Sequence, residues 1–266
     1  MRTLNLDHLT DHQKQTLTGC SNTVLDELKT TLREQEAHRP GRPLKHSIEQ
    51  RLYLTLFKLR TNLSYLAIEA ITGVDAVTAS RIVKSVVACL AGAAMTERTQ
   101  PIFLIVDATV TRCDMRQPRY YSGHKHYKGV KTPVVCDQRR IIRHVSQPWP
   151  ASVHDKTIWT HERHHIVPMS TAFILGDKAY AGAFAKQAII RPAKKNETDF
   201  RVDPDRAKRD NRINSAPRVR IEHVIGSLKR YKIVAERFPL ALHTFHACMM
   251  TVALIHNLQI TTKVAS

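Results

Sequence analysis

Acidic residues are the scarce charge in this chain of 266 residues: 23 Asp and Glu stand against 41 Lys and Arg, for a formal net charge of +18. A surplus of that size restricts partners to polyanions, namely nucleic acid, an anionic membrane or acidic proteins. Long apolar runs are lacking too. None approaches the roughly 18 residues of a spanning helix, and the opening MRTLNLDHLTDHQ has no apolar signal-peptide core. Membrane is therefore the weaker partner, and a cytoplasmic protein is expected. Cys20, Cys89, Cys113, Cys136 and Cys248 are odd in number and never form a Cys-x-x-Cys pair. Neither a disulfide framework nor a cysteine zinc site is implied, which suits a reducing compartment. Glycine is sparse at 9 residues, and no repeat or low-complexity tract is seen, which excludes fibrous, solenoid and disordered classes. HERHHI (161–166) has no second ligand cluster and reads as surface or core rather than as a zinc site.

What is present divides at about residue 100. Up to there the chain reads as helices. Leu25, Leu28 and Leu32 lie on one face of NTVLDELKTTLREQEAH, and Ile48, Leu52, Leu56 and Leu59 form a second stripe that Ser47 is placed to cap. The basic hinge HRPGRPLK (38–45) separates them, a linker first and a minor-groove contact second. Within 62–90 a short helix ends at Thr72-Gly73, and a second, capped by Thr78, carries the stripe Ile82, Val83, Val86, Val87 and Leu90. This is the helix-turn-helix pattern, with a plain helical hairpin as the alternative; the net charge tilts the reading toward DNA.

From 101 onward PIFLIVDATV, HYKGVKTPVVCD and RIIRHVSQPW read as strands, SVHDKTIWTHERHHI as a helix, and TAFILGDKAY and QAIIRPAK as further strands. A polar loop over 194–211 and long helices over 212–231 and 242–261 complete a mixed α/β layer fold. The expected domains are 1–95, helical and DNA-binding, and 101–262, a mixed five-stranded sheet with flanking helices.

Asp107 and Asp177 each follow a continuous apolar run, FLIV and AFIL-G, where a buried strand would end. The carboxyl rim of an open sheet is where α/β sites are built, and magnesium needs only a few carboxylates from separate elements. A third acid, Glu222, stands among cations in PRVRIEHVIGSLKRYK; as a helix, this stretch puts Arg218, Glu222, Ile225 and Lys229 on one stripe. Glu222 as a metal ligand with phosphate-binding cations around it, and an ordinary i,i+4 Arg–Glu pair on a solvated face, are both open on spacing alone. Asp155 and His154 are candidate neighbours of the site, and Asp155 also suits a helix N-terminus. Tyr120, Tyr121, Lys125 and Lys128 in YYSGHKHYKG suit either base stacking or a plain sheet face.

Residues 101–258 resemble the DDE superfamily of transposases and endonucleases, specifically the compact bacterial insertion-sequence type and its Harbinger-like relatives. The resemblance is carried, in order, by VDATV, YYSGHKHYKGVKTPVVCD, ASVHD, LGDKAY, RVRIEHVIGSLKR and ALIHNL. Arg218, Glu222 and Lys229 match the Arg-x3-Glu-x6-Lys signature around the third acid; Ser215 replaces that signature's tyrosine, and Ala151 a glycine. The resemblance implies an RNase H-like catalytic domain preceded by a helix-turn-helix region. It implies Asp107, Asp177 and Glu222 as catalytic ligands of two Mg²⁺ or Mn²⁺ ions, with Arg218, Arg220, Lys229, Lys178, Lys125 and Lys128 as phosphate-positioning candidates. The implied activity is metal-dependent DNA cleavage and strand transfer at the inverted-repeat ends of an insertion sequence, by a dimer or larger assembly on double-stranded DNA. A nuclease that cuts without joining and a catalytically silent DNA-binding protein are the alternatives.

Overall fold

A computed structural model describes residues 8–37, 44–93, 101–166, 173–180, 189–190 and 201–264. By its contacts the chain divides into two compact units, Met1–Thr96 with Leu228–Ser266, and Glu97–Ser227.

The first unit is helical: α1 (Asp11–Thr18), α2 (Asn22–Glu36), α3 (Ile48–Thr61), α4 (Tyr65–Thr72) and α5 (Ala76–Gly92). The predicted stripe of α2 is buried at Leu25, Leu28 and Leu32, and that of α3 at Leu52, Leu56 and Leu59. Ser47 caps α3 as expected: its hydroxyl accepts from Gln50 N–H at 3.1 Å while the Gln50 side chain accepts from Ser47 N–H, also at 3.1 Å. Ser47→Ala is expected to cost about 1 kcal/mol, read as a lower denaturation midpoint with unchanged slope. Helix α3 is buried nearly all round rather than on one stripe, so its two buried cations need partners inside. Arg51 forks onto Glu36 with two bonds of 2.6 Å, and the Lys58 ammonium donates to Leu63 C=O at 2.6 Å and lies 5.1 Å from the Tyr65 ring centroid. Burial pushes Lys58 down to about 8.

Helices α4 and α5 meet at a tight turn. Gly73 ends α4 at φ 73°, a left-handed conformation that a β-carbon would strain. The cap of α5 is Asp75, which accepts from Thr78 N–H at 2.9 Å, so the helix starts earlier than a Thr78 cap would allow. Its buried stripe is the predicted one, and Arg81 and Lys84 are exposed on the opposite side. Residues 38–43 of the basic hinge lie outside the described residues.

The second unit holds β1 (Phe103–Arg112), β2 (Tyr121–Ser122), β3 (Tyr127–Asp137), β4 (Ile142–Val145), β5 (Trp149–Pro150), α6 (Asp155–Ile166), β6 (Phe173–Leu175) and β7 (Ile189–Ile190). Strand β3 is antiparallel to β1, with Asp107 opposite Val134, and β4 is antiparallel to β3; β6 is parallel to β1, and β7 to β6. The order β4-β3-β1-β6-β7, three antiparallel strands followed by two parallel ones, is the RNase H-like layer. Two short ladders join the five expected strands. With 11 residues, β3 outruns the four of β4, and the rest of that edge is taken by β5 and β2. Gly129 is required where β3 passes β1, since a β-carbon there would lie 2.6 Å from Thr111 O. Leu104, Val106, Val135, Trp159, Ile174 and Tyr180 form a buried cluster joining the sheet to α6 and the turn after β6.

The region expected as a loop and then one long helix is divided differently. Helix α7 (Pro204–Ser215) begins inside the expected loop, with Asp203 as its cap and Pro204 in its first turn. Pro217 then rules out an unbroken helix, because it has no N–H to donate and its ring clashes with the preceding turn. A 3₁₀ turn, Ala216–Arg218, follows, and then α8 (Val219–Leu228). The stripe Arg218–Glu222–Ile225–Lys229 is broken at both ends as a result. The chain closes with α9 (Lys232–Ala235) and α10 (Phe245–Val264). Helix α10 packs on α5 and α2 in the helical unit, burying Cys248, Met249, Val252, Ala253 and Ile255, whereas the sequence reading grouped it with the sheet. Among the described residues no helix is long and apolar enough to cross a membrane.

Candidate active site

The parallel ladder sets the site. Its last rung between β1 and β6 is Ile105 opposite Leu175, and Asp107 and Asp177 each come two residues later in the chain. Asp107 does not end its strand: β1 runs on to Arg112 against β3, and only the parallel neighbour stops. The Asp107 carboxylate accepts from Ala108 N–H at 2.8 Å, and that of Asp177 from Ala179 N–H, also at 2.8 Å. Burial pushes Asp107 up to about 6. The Ala108 bond opposes the shift, neighbouring Asp177 adds to it, Arg218 opposes it, and Asp155 adds a last contribution.

Asp155 opens α6 and pairs with Lys131 of β3, whose Nζ lies 3.0 Å from its Oδ1 and also donates to Val153 C=O at 2.8 Å. His154 is exposed, and its Nδ1 accepts from Lys156 N–H at 3.2 Å, a local helix-start contact. Arg218 lies in the 3₁₀ turn with its Nε buried and, among the described residues, without a hydrogen-bond partner. The structure thus brings Asp107, Asp177, Asp155 and Arg218 into one electrostatic group.

The remaining candidates lie elsewhere. Glu222 is exposed in the first turn of α8. Among the described residues no three His, Cys, Asp or Glu side chains are gathered closely enough to hold a metal ion. Arg220 is exposed, and its Nε donates to Gln138 C=O at 3.1 Å, tying α8 to the turn after β3. Lys125 is exposed in the turn before β3, Lys128 Nζ donates to Arg116 C=O at 2.9 Å, and Lys229 is exposed just beyond α8. The side chain of Lys178 lies outside the described residues. Of the two tyrosines considered for stacking, Tyr120 is buried and only Tyr121 is exposed. Sequence reasoning missed Lys131 and Tyr180. A lysine inside a strand as apolar as β3, and a tyrosine three residues beyond Asp177, were the available signals.

Residues 106–257 match the family described as DDE superfamily endonuclease. The chain belongs to the DDE superfamily of endonucleases. Residues 44–95, which contain α4 and α5, match the helix-turn-helix of DDE superfamily endonuclease. Asp107, Asp177 and Glu222 all fall inside the endonuclease match. A protein of Streptomyces albus G, described as "Putative transposase for insertion sequence element IS112", is 25% identical over 245 residues, covering 91% of this chain and 93% of that protein.

Proposed function

We propose that this protein is an insertion-sequence transposase that binds the ends of its element, cuts them in a metal-dependent reaction and joins the freed 3′ hydroxyl to target DNA. The observation that carries the reading is the carboxylate pair at the end of the parallel ladder, within a chain of the DDE superfamily. The description of the Streptomyces relative, similar along nearly its whole length, supports the transposase over a simple nuclease.

The residues fit a hard divalent ion. Two carboxylates on rigid backbone, one raised to about 6 by burial and by its neighbour, are an all-oxygen donor set whose repulsion Mg²⁺ or Mn²⁺ would relieve. Asp107 and Asp177 would hold the metal, with Glu222 as the third ligand and two ions the expected number. When bound, the metal supplies Lewis-acid activation of water and of the leaving 3′ oxygen. Around it Arg218 binds phosphate oxygens, and Lys229, Lys178, Arg220, Lys125 and Lys128 extend the track along the backbone. The exposed face of α5, with Arg81 and Lys84, engages double-stranded DNA. Two ends must be held together, so the working form on DNA is a dimer or larger, in the compartment that holds the chromosome.

One observation favours the catalytically silent reading: Glu222 is exposed and is not gathered with the pair. The deciding experiment incubates the protein with labelled DNA carrying the ends that flank its gene, in Mg²⁺, Mn²⁺ or EDTA, beside Glu222→Gln. Expected are 3′ nicks and joined products that EDTA abolishes and that Glu222→Gln reduces about a hundredfold or more. Salt-sensitive binding without cleavage under either metal would establish the silent protein, and nicks without joined products a nuclease.

A further inference from the structure

Helix α7 forms without joining the core. Of its 12 residues only Ala207 is buried, and local devices hold the helix instead. Asp203 caps it by accepting from Arg206 N–H at 2.9 Å, and Pro204 stands in its first turn. Its own two acids pair within the helix, Asp205 with Lys208 at 3.0 Å and Asp210 with Arg206 at 3.7 Å. A helix of this length with so little packing is marginal in water, so the folding of the catalytic unit does not account for it.

What the helix presents is cationic. At 3.6 residues per turn, the side turned away from Ala207 carries Lys208, Arg209, Arg212 and Ile213, all exposed. Asp205 on that side is spent on Lys208. Arg209 and Arg212, three apart and so neighbours on the surface, have no acidic partner among the described residues. Ile213 beside them is 68% exposed. Two guanidiniums side by side suit phosphate oxygens, and an apolar side chain next to them suits the deoxyribose between phosphates. A second copy of this chain is the poorer occupant, because it carries +18 itself and would bring cations to cations.

The helix belongs to the same compact unit as Asp107 and Asp177, Glu97–Ser227, whereas α5 belongs to the other. Its last residue, Ser215, stands three residues before Arg218, so at most about 11 Å of backbone joins the helix to a residue already assigned to phosphate.

We propose that α7 is a second DNA contact: Arg209 and Arg212 bind backbone phosphates of the duplex that the catalytic unit cuts, whatever its sequence, while α5 supplies preference for the element's ends. The proposal rests on the reading of this chain as a protein that binds and cuts DNA ends.

Duplex binding by the full chain in EDTA, followed by fluorescence anisotropy from 50 mM to 1 M salt, tests it without depending on activity. The two duplexes are an element end and an unrelated sequence of equal length. Arg209→Ala/Arg212→Ala is expected to lower the slope of log Kd against log salt by about 2 on both. Binding then weakens on the order of tenfold or more at 0.1 M salt and converges with wild type toward 1 M. Arg209→Lys/Arg212→Lys keeps the charge and is expected to keep the slope. Arg81→Ala is expected to lose preference for the end over the unrelated duplex. A wild-type slope in the double Ala variant would overturn the proposal and leave the function reading standing. So would loss of self-association by that variant with its slope unchanged, which would assign the helix to a second copy. Both arginines are exposed, so the variant is expected to melt with the wild type; melting well below it would make them structural and overturn the proposal. Absence of salt-dependent binding by wild type to either duplex would overturn the function reading and the proposal together.

Discussion

Asp107→Asn is expected to abolish metal-dependent DNA cleavage and, in EDTA at neutral pH, to raise the melting temperature. Loss of a carboxylate that holds the reacting metal removes several kcal/mol of transition-state stabilisation, on the order of a thousandfold in rate or more. The stability gain follows from the pKa of about 6. The folded protein holds this proton up to a higher pH than the unfolded chain does, so it binds more protons between about pH 4 and 6, and wild-type stability falls as pH rises through that window. At pH 7 the ionised, buried carboxylate costs on the order of 1–3 kcal/mol, which Asn does not incur. Melting curves from pH 4 to 8 in EDTA should show the variant ahead at pH 7 and the gap closed near pH 4. A variant less stable at pH 7 would mean that Asp107 is held for structure, as a partner of Arg218. Added Mg²⁺ should stabilise the wild type and leave the variant unmoved.

Asp137→Ala is expected to have the opposite profile: a large loss of stability and no direct loss of chemistry. This acid also ends an apolar strand, in VVCD, and by sequence it looks like Asp107 and Asp177. It is fully buried, and four donors occupy its carboxylate: Arg139 N–H at 2.8 Å, Ile141 N–H at 3.0 Å, and Arg143 through Nε at 3.0 Å and Nη2 at 2.6 Å. With no acceptor capacity left for a cation, Asp137 closes the β3–β4 turn. Removing it takes away the carboxylate onto which the largely buried Arg143 guanidinium forks, a loss of about 3–5 kcal/mol. Urea denaturation should show a lower midpoint with unchanged slope. Nicking per folded molecule, assayed well below the melting transition, should stay near wild type; a full loss there would place Asp137 in the chemistry.

These two acids show where sequence reading stops. Helical stripes were legible because burial repeats with the helix: Leu25, Leu28 and Leu32 are all in the core. Ser47 was legible because a cap is a contact over three residues. Leu104–Val106 and Ile174–Leu175 were legible as buried strand residues because a sheet covered on both faces asks for a continuous apolar run rather than an alternating one. The break at Pro217 and the start at Asp203-Pro204 were also written in the local chemistry, but the surrounding charge density read as one loop and one helix. Glu222 was singled out by the cations near it in sequence and by the Arg-x3-Glu-x6-Lys signature; in the structure it lies exposed in the first turn of α8.

The sequence by itself determined the net charge that restricts partners to polyanions, the helical and strand-forming segments, and the motifs that place the chain in the DDE superfamily. All of these depend on composition or on residues within a few positions of one another. Only the tertiary structure decided that Asp107 and Asp177 both follow the last parallel rung of β1 and β6, that Asp137 is spent on Arg143, and that Lys131 answers Asp155 across β3 and α6. It also decided that α10 buries its apolar surface on α5 and α2. A carboxylate becomes a ligand or a structural anchor according to which donors reach it, and strand register and helix packing bring those donors from segments far apart in the chain.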